Sequence, residues 1–188
     1  MELEWLSSLD WFFDFGPYGL FLLSFVEAIF FLVPPDVMLV PLAVAQPALS
    51  LAYAAITTAG SVLGGLSGYF LGRRAGRPML LRFASASRIE KLEKLFARYG
   101  GWAVAMAAFT PVPYKVFTIG AGIFRVRLFH FTIASVTGRG LRFGLEALLV
   151  MVLGERATEF FYKDFEWLTL AIALLAVAVA IVVGRRKE

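Results

Sequence analysis

The sequence predicts an all-α integral membrane protein built as two inverted repeats, each a proline-broken re-entrant hairpin plus a transmembrane helix, with a further transmembrane helix at the C-terminus. Three observations carry this. Of 188 residues, 60% are apolar and only 17% charged, too little polar surface for a soluble domain of this length. Apolar blocks near the ~20 residues of a bilayer crossing recur along the chain. Two shorter apolar stretches are each interrupted by a pair of prolines beside an ionisable residue. The net charge of +4 reports loop orientation in such a protein, so nucleic acid is not an expected partner. No cysteine occurs, which excludes disulfides, thiolate metal sites and cysteine nucleophiles.

The whole chain reads as one membrane domain. Residues 1–17 begin with Glu2, Glu4, Asp10 and Asp14, unlike the basic start of a cleavable signal. Trp5, Leu6, Leu9, Phe12 and Phe13 recur at helical spacing and predict an interfacial helix, the alternative being a frayed acidic leader. Residues 18–72 form the first repeat. Its arms, Tyr18 to Val33 and Val37 to Ala45, flank Pro34-Pro35-Asp36, and neither is long enough to span. Helix breaks in lipid need a protein-lined cavity, so a re-entrant hairpin is expected, followed by a crossing from Leu49 to Leu71.

Residues 73–100 carry Arg73, Arg74, Arg77, Arg82, Arg88, Lys91, Lys94 and Arg98 against Glu90 and Glu93, which places this linker in the cytoplasm. Within it, Ile89, Leu92, Leu95, Phe96 and Tyr99 trace a helical stripe, a basic amphipathic helix that serves either as an orientation signal or as a headgroup surface. Residues 101–153 repeat the first design: Trp102 to Thr110, the break Pro111-Val112-Pro113-Tyr114-Lys115, Val116 to Phe124, then a crossing from Phe129 to Leu153. Residues 154–188 add a crossing from Phe165 to Val183 and the basic end Arg185-Arg186-Lys187. Every basic cluster then falls on the cytoplasmic side, with the C-terminus inside and one hairpin dipping from each leaflet. Opposed repeats with broken helices resemble the plan of secondary transporters, whose site lies at the bilayer midplane.

Gly60, Gly64, Gly68 and Gly72 recur every four residues and predict close helix packing, within the chain or between copies of a homo-oligomer. Gly65-Leu66-Ser67-Gly68 also matches a short serine-protease-like string, for which His130 is the sole available base. Charges within the membrane are the sharper signal, each costing roughly 2.5–3.5 kcal/mol at a helix centre. Glu27, Asp36 and Lys115 fall in the hairpins. Arg139, Arg142 and Glu146, spaced by three and four, share one narrow helical arc with Ser135 one turn earlier. These six charged residues are the candidate substrate-binding or proton-coupling groups, with Pro34, Pro35, Pro111 and Pro113 as the hairpin breaks. The alternative is a buried ion-pair set holding hairpins to helices, Arg142 with Glu146 and Arg139 with Glu27 or Asp36.

Several motifs together resemble a known family. Glu27 followed by Pro35-Asp36, the run Gly68-Tyr69-Phe70-Leu71-Gly72-Arg73-Arg74-Ala75-Gly76, and Phe109-Thr110-Pro111-Val112-Pro113-Tyr114-Lys115 leading to Ala121-Gly122 are similar to the DedA family, also called the SNARE-associated or VTT-domain superfamily. Pro113-Tyr114-Lys115 with Gly138-Arg139-Gly140 and Arg142-Phe143 most resembles its YqaA-type branch. The resemblance covers about residues 20–150. It implies a bacterial inner-membrane protein that moves lipids between leaflets, with phospholipid or a lipid-linked phosphate as partner and protons as a suspected energy source. Glu27 and Asp36 match the family's acidic positions. The wider family's Arg-Phe-x-Pro-x-x-Arg motif is altered, with Ala108 and Tyr114 at its arginine positions and Lys115, Arg139 or Arg142 as candidate replacements.

The resulting expectation is a lipid translocase, a flippase or scramblase, with no cofactor and no metal. An ion or small-solute transporter or a structural membrane protein is the alternative. An enzyme is not expected, because one histidine and no cysteine leave few catalytic groups.

Overall fold

The computed structural model describes residues 15–30, 33–80, 86–110 and 114–154. The interfacial helix expected within residues 1–17, the crossing expected over 165–183, and Pro111 and Pro113 lie outside the described residues. The described elements are helical throughout: α1 (Gly16–Phe30), α2 (Asp36–Ala45), a 3-10 turn (Pro47–Leu49), α3 (Ser50–Leu80), α4 (Ala86–Phe109), α5 (Tyr114–Ile123) and α6 (Leu128–Leu153).

The proline pair sets the boundary between α1 and α2. Pro35 stands at the N-terminal end of α2, where its missing N–H forfeits no intrahelical bond, and Asp36 occupies the first turn, where a carboxylate faces the positive end of the helix dipole. At 15 and 10 residues, α1 and α2 are about 22 and 15 Å long, short of a ~30 Å hydrocarbon core. After Ala45 the chain turns sharply. Ser50 Oγ donates to the Ala43 carbonyl at 3.3 Å, and Tyr53 Oη donates to Gln46 Oε1 at 3.2 Å, so the turn is closed from within α3. A second turn, from Phe124 to Arg127, joins α5 to α6.

Helix α3 is the axis of the bundle, and its glycines are the reason. A side chain at Gly60 or Gly64 would strike the backbone carbonyls of Phe21 and Phe25 in α1, while one at Gly68 or Gly72 would strike Thr118 and the Ile119 carbonyl in α5. The small-residue stripe is therefore used within the chain, half against α1 and half against α5, and all four glycines are buried. A homo-oligomer through these glycines has no exposed face to use. Helix α3 ends its regular run at Gly76, whose φ of 62° is a left-handed value suited to glycine.

Helix α4 runs unbroken through Gly100-Gly101, so the basic linker helix and the first arm of the second hairpin are one element of 24 residues rather than two. It packs on α6, where a side chain at Gly138 would meet the Ala105 carbonyl and the Ala108 methyl.

Burial is inverted relative to a soluble protein. Tyr18 and Val152 are each 82% exposed and Trp102 75%, whereas Glu146 is fully buried and Arg139 only 4% exposed. Among the described residues one helix, Pro47–Gly76, is long and apolar enough to cross a membrane. Helix α6, at 26 residues, has the length but carries three charges. All three face inward, while Phe129, Ile133, Val136, Leu141, Leu145 and Leu148 cover its exposed side.

The glycine contacts yield a paired prediction. Gly122→Ala places a methyl against the Tyr69 carbonyl and the Arg73 amide, and should destabilise the protein by about 1–3 kcal/mol. Gly144→Ala, with nothing within 4 Å of the added carbon, should be neutral or gain up to ~1 kcal/mol of helix propensity. Thermal unfolding of the two variants in detergent checks the contrast.

Candidate functional site

The period of an α-helix brings Arg139, Arg142 and Glu146 to one side of α6, which packs against α2, α3 and α4. Arg142 is the most connected of the three. Its Nη2 donates to Asp36 Oδ2 at 2.6 Å, its Nε donates to Glu146 Oε1 at 3.2 Å, and its Nη1 reaches the Thr110 carbonyl at 3.5 Å. Asp36 stands at the start of α2 and Thr110 just past the end of α4, so a single guanidinium ties these two helix ends to α6.

Arg139 is held more loosely. Its Nη2 lies 3.9 Å from Glu27 Oε2, an ion pair too long for a hydrogen bond. Its guanidinium sits over the Tyr114 ring at 4.3 Å and 5.7 Å from the Phe143 ring. Tyr114 belongs to the apolar cluster centred on α4, α5 and the first half of α6, and Phe143 to that of α1, α2, the start of α3 and the second half of α6, so Arg139 bridges the two.

Six buried side-chain atoms here fall short of an ordinary hydrogen bond: Glu27 Oε2, Asp36 Oδ1, Tyr114 Oη, Ser135 Oγ, Arg139 Nε and Glu146 Oε2, although Tyr114 faces Ser135 and Glu146 faces Asp36. They come from α1, α2, α5 and α6. Ser61 Oγ, on α3, is likewise unsatisfied. Elsewhere buried hydroxyls find partners, in the preceding turn as Ser24 does at Leu20 and Thr57 at Tyr53, or across the fold as Tyr69 does at Val126. Orphaned polar atoms therefore collect around the ion pairs, where bound water, a proton or a polar ligand would satisfy them.

The structure brings together five of the six charged residues expected from sequence. Lys115, half-buried on the first turn of α5, is among the charges acting on Glu27. Of the expected pairings, Arg142 with Glu146 and Arg139 with Glu27 form, while Asp36 pairs with Arg142 rather than Arg139. Pro34 is exposed and Pro35 buried beneath the Asp36 turn. The structure adds Tyr114 to the site, and Ser135 lies on the polar arc that the sequence spacing marks. The adjacency of Ser135 to Arg139 on the helix surface was a usable signal, whereas the stacking of Arg139 on Tyr114 depends on tertiary packing. Ser67 is exposed on α3 and hydrogen-bonds to its own helix at the Leu63 carbonyl. Among the described residues no group of three side chains could hold a metal ion.

The VTT domain family model matches residues 33–152, which includes α2 through α6 and every residue of the cluster except Glu27. The chain belongs to the VTT-domain, or DedA, family. It is 36% identical to an uncharacterized protein of Haemophilus influenzae over 87% of this chain and 86% of that one. It is 26% identical to undecaprenyl phosphate transporter A of Staphylococcus aureus over 93% and 94%, and 27% identical to an uncharacterized protein of Methanocaldococcus jannaschii over 72% and 84%. No solved structure matches the chain. As a VTT-domain protein it is a membrane protein, in keeping with its apolar exterior.

The altered family motif has a steric reading here. Ala108 is fully buried against Gly138, with no room for a long side chain. Tyr114 instead presents its ring to Arg139, so α6 supplies a guanidinium beside the position where the wider VTT-domain motif has an arginine of its own.

Arg142→Met leaves Asp36 and Glu146 buried without their counter-charge and should destabilise the protein by about 3–5 kcal/mol. Adding Asp36→Asn and Glu146→Gln should recover much of that loss, because no charge is then left uncompensated. Unfolding midpoints in detergent for the single and triple variants check both parts.

Proposed function

We propose that this VTT-domain protein moves a lipid headgroup between leaflets through the ion-paired cluster between its two hairpins, while the acyl or polyprenyl chain stays in the bilayer. The observation that carries this reading is the set of orphaned polar atoms around Glu27, Asp36, Arg139 and Glu146, inside a bundle whose exterior is apolar. Such a set fits a hydrated path better than a sealed core. Similarity along nearly the whole chain to an undecaprenyl phosphate transporter supports a phosphate-bearing lipid as substrate.

The two arginines divide the work. Arg142, with three partners, is the clamp that fixes both hairpin breaks. Arg139 and Glu27 form the working pair: the long ion pair leaves Arg139 Nε and Glu27 Oε2 available, the first to donate to a phosphate oxygen and the second to take a proton or an amine. Lys115 adds positive charge beside Glu27. On this reading transport is a charge exchange, with Arg139 released from Glu27 as the headgroup arrives, and proton binding at Glu27 would favour that release.

The fold supports two inverted repeats as the frame. Gly64 meets a carbonyl and an alanine methyl three residues apart in α1, and Gly138 meets the same pair in α4. Each of these contacts joins a hairpin's first arm to the long helix that follows it. The hairpins would enter from opposite leaflets, the second from the cytoplasm, with a multi-pass topology and a cytoplasmic C-terminus. The chain lacks cysteine, which makes this testable by single-cysteine labelling. Cysteines on both sides of Pro34-Pro35 should react only from outside, and labelling there from the cytoplasm would overturn the topology.

Leaflet-to-leaflet movement of labelled lipids in liposomes tests the function. Wild type should move a phosphate-bearing lipid, and Glu27→Gln and Arg139→Gln should lose most of that movement while lowering the unfolding midpoint much less than Arg142→Met does. Dependence on an imposed proton gradient would mark proton coupling. Stability and movement lost in parallel would instead make the pair structural, and no movement of any headgroup in wild type would favour solute transport.

A further inference from the structure

A second groove lies outside the ion-paired cluster, between α4, the Phe124–Arg127 turn and the first turns of α6. Its volume is about 650 Å³. One end is cationic, with Arg98, Arg125, Arg127 and His130 on its wall and no acidic residue among the described residues that line it. The other end is apolar or nearly so, with Ala105, Ile133, Ala134 and Thr137. From His130 to Thr137, and equally from Arg98 to Ala105, the groove deepens by seven residues, roughly 10 Å of helix rise. A charged mouth over an apolar floor of that depth matches a headgroup phosphate and the glycerol end of its acyl chains.

The turn that carries two of the arginines is held firmly. Tyr69 Oη donates to the Val126 carbonyl at 2.6 Å, and the Val126 amide donates to the Ala121 carbonyl at 2.9 Å. The Val126 side chain fills the space above Gly100, and Phe124 stacks on Phe96 with ring centroids 4.9 Å apart. Phe124 and Val126 thus anchor the turn inward while Arg125 and Arg127 are left exposed. Arg125 is the one described non-glycine residue with positive φ, at 54°, a conformation that this anchoring imposes. The tethered turn fixes the Cα positions of Arg125 and Arg127 on the same rim of the groove, so two guanidiniums can converge on one anion.

We propose that this groove is a resident site for one anionic phospholipid of the cytoplasmic leaflet, with its phosphate on Arg125 and Arg127, Arg98 closing the mouth, and an acyl chain along Ala105, Ile133 and Ala134. The bound lipid would seat the start of α6, and hence Arg139 and Arg142 further along it, against the α4 hairpin arm. The choice of leaflet rests on the proposed topology, but the site needs no transport activity and stands whether or not the ion-paired cluster moves lipid.

Retention of phosphatidylglycerol by the purified full-length protein, read by native mass spectrometry from detergent, tests it against phosphatidylcholine. Each arginine at a membrane surface is worth about 1 kcal/mol toward an anionic lipid, so Arg125→Gln with Arg127→Gln should lower phosphatidylglycerol affinity on the order of tenfold or more. Arg74→Gln with Lys94→Gln removes two exposed charges that do not line the groove and should change it less than twofold. Ala134→Leu, which fills the floor, should weaken binding with all the arginines present. Equal loss in the two charge pairs would mean diffuse surface attraction and would overturn the site. Equal retention of phosphatidylcholine, or displacement of phosphatidylglycerol by millimolar inorganic phosphate, would also overturn it, the latter by showing an anion site without a chain groove.

Discussion

The geometry of this bundle depends on Arg142. A charge buried inside a membrane protein is tolerated when it is paired and its hydrogen bonds are filled, and Arg142 meets both conditions by drawing on parts of the chain distant in sequence. Asp36, 106 residues away, ties the start of α2 to it, and the Thr110 carbonyl ties the end of α4. A proline-broken helix leaves backbone carbonyls that lipid cannot satisfy, and here one such carbonyl, at Thr110, is taken up by a guanidinium. The charge and the helix break solve each other's difficulty, which is why the prolines and the arginines belong to one design.

Glycine makes that solution sterically possible. Arg142 can reach both hairpins only if α3 and α6 lie close to them, and the small residues along α3 and at Gly138 permit backbone contact without intervening side chains. In lipid, where apolar association between helices gains nothing from water release, such close packing supplies the attraction that holds the elements together. The charge cluster and the glycine stripes are thus successive layers of one structure: glycine sets the distance and arginine uses it. Hydroxyls within the packed layers bond to their own helices, as at Ser24 and Thr57, so the unsatisfied atoms are confined largely to the cluster itself.

Much of this is legible in the sequence because it rests on local periodicity. The spacing of Arg139, Arg142 and Glu146 fixes their common face, Pro34-Pro35-Asp36 fixes a helix break, and the four-residue glycine repeat fixes a packing stripe. What sequence leaves open is pairing across distance. Glu27 and Asp36 are both acids near the first break, and only the packing of α1 and α2 against α6 decides that the second meets Arg142 and the first Arg139. The α4 boundary misleads for a different reason. Gly100-Gly101 reads as a break between a surface helix and a membrane arm, yet glycine within a helix costs only about 1 kcal/mol, and Gly100 is needed where it is because Val126 fills the space beside it. Tyr114 reads as a lost arginine until its ring is found beneath Arg139.

The contrast between the two arginines bears on how such a protein could work without losing its fold. If both were clamped as Arg142 is, any entering anion would have to break the contacts that hold the hairpins, and binding would compete with folding. If both were as loose as Arg139, the helix breaks would have no anchor. One fully engaged guanidinium beside one that faces an aromatic ring and a distant carboxylate separates the two demands on a single helical arc, one turn apart. Cation–π contact suits the second role: it shields the guanidinium face in a dry environment while leaving the N–H edge, where Arg139 Nε is unpartnered, to hydrogen-bond elsewhere. An anion arriving at that edge need not displace Tyr114, so the arginine can change hydrogen-bonding partners without losing its seat.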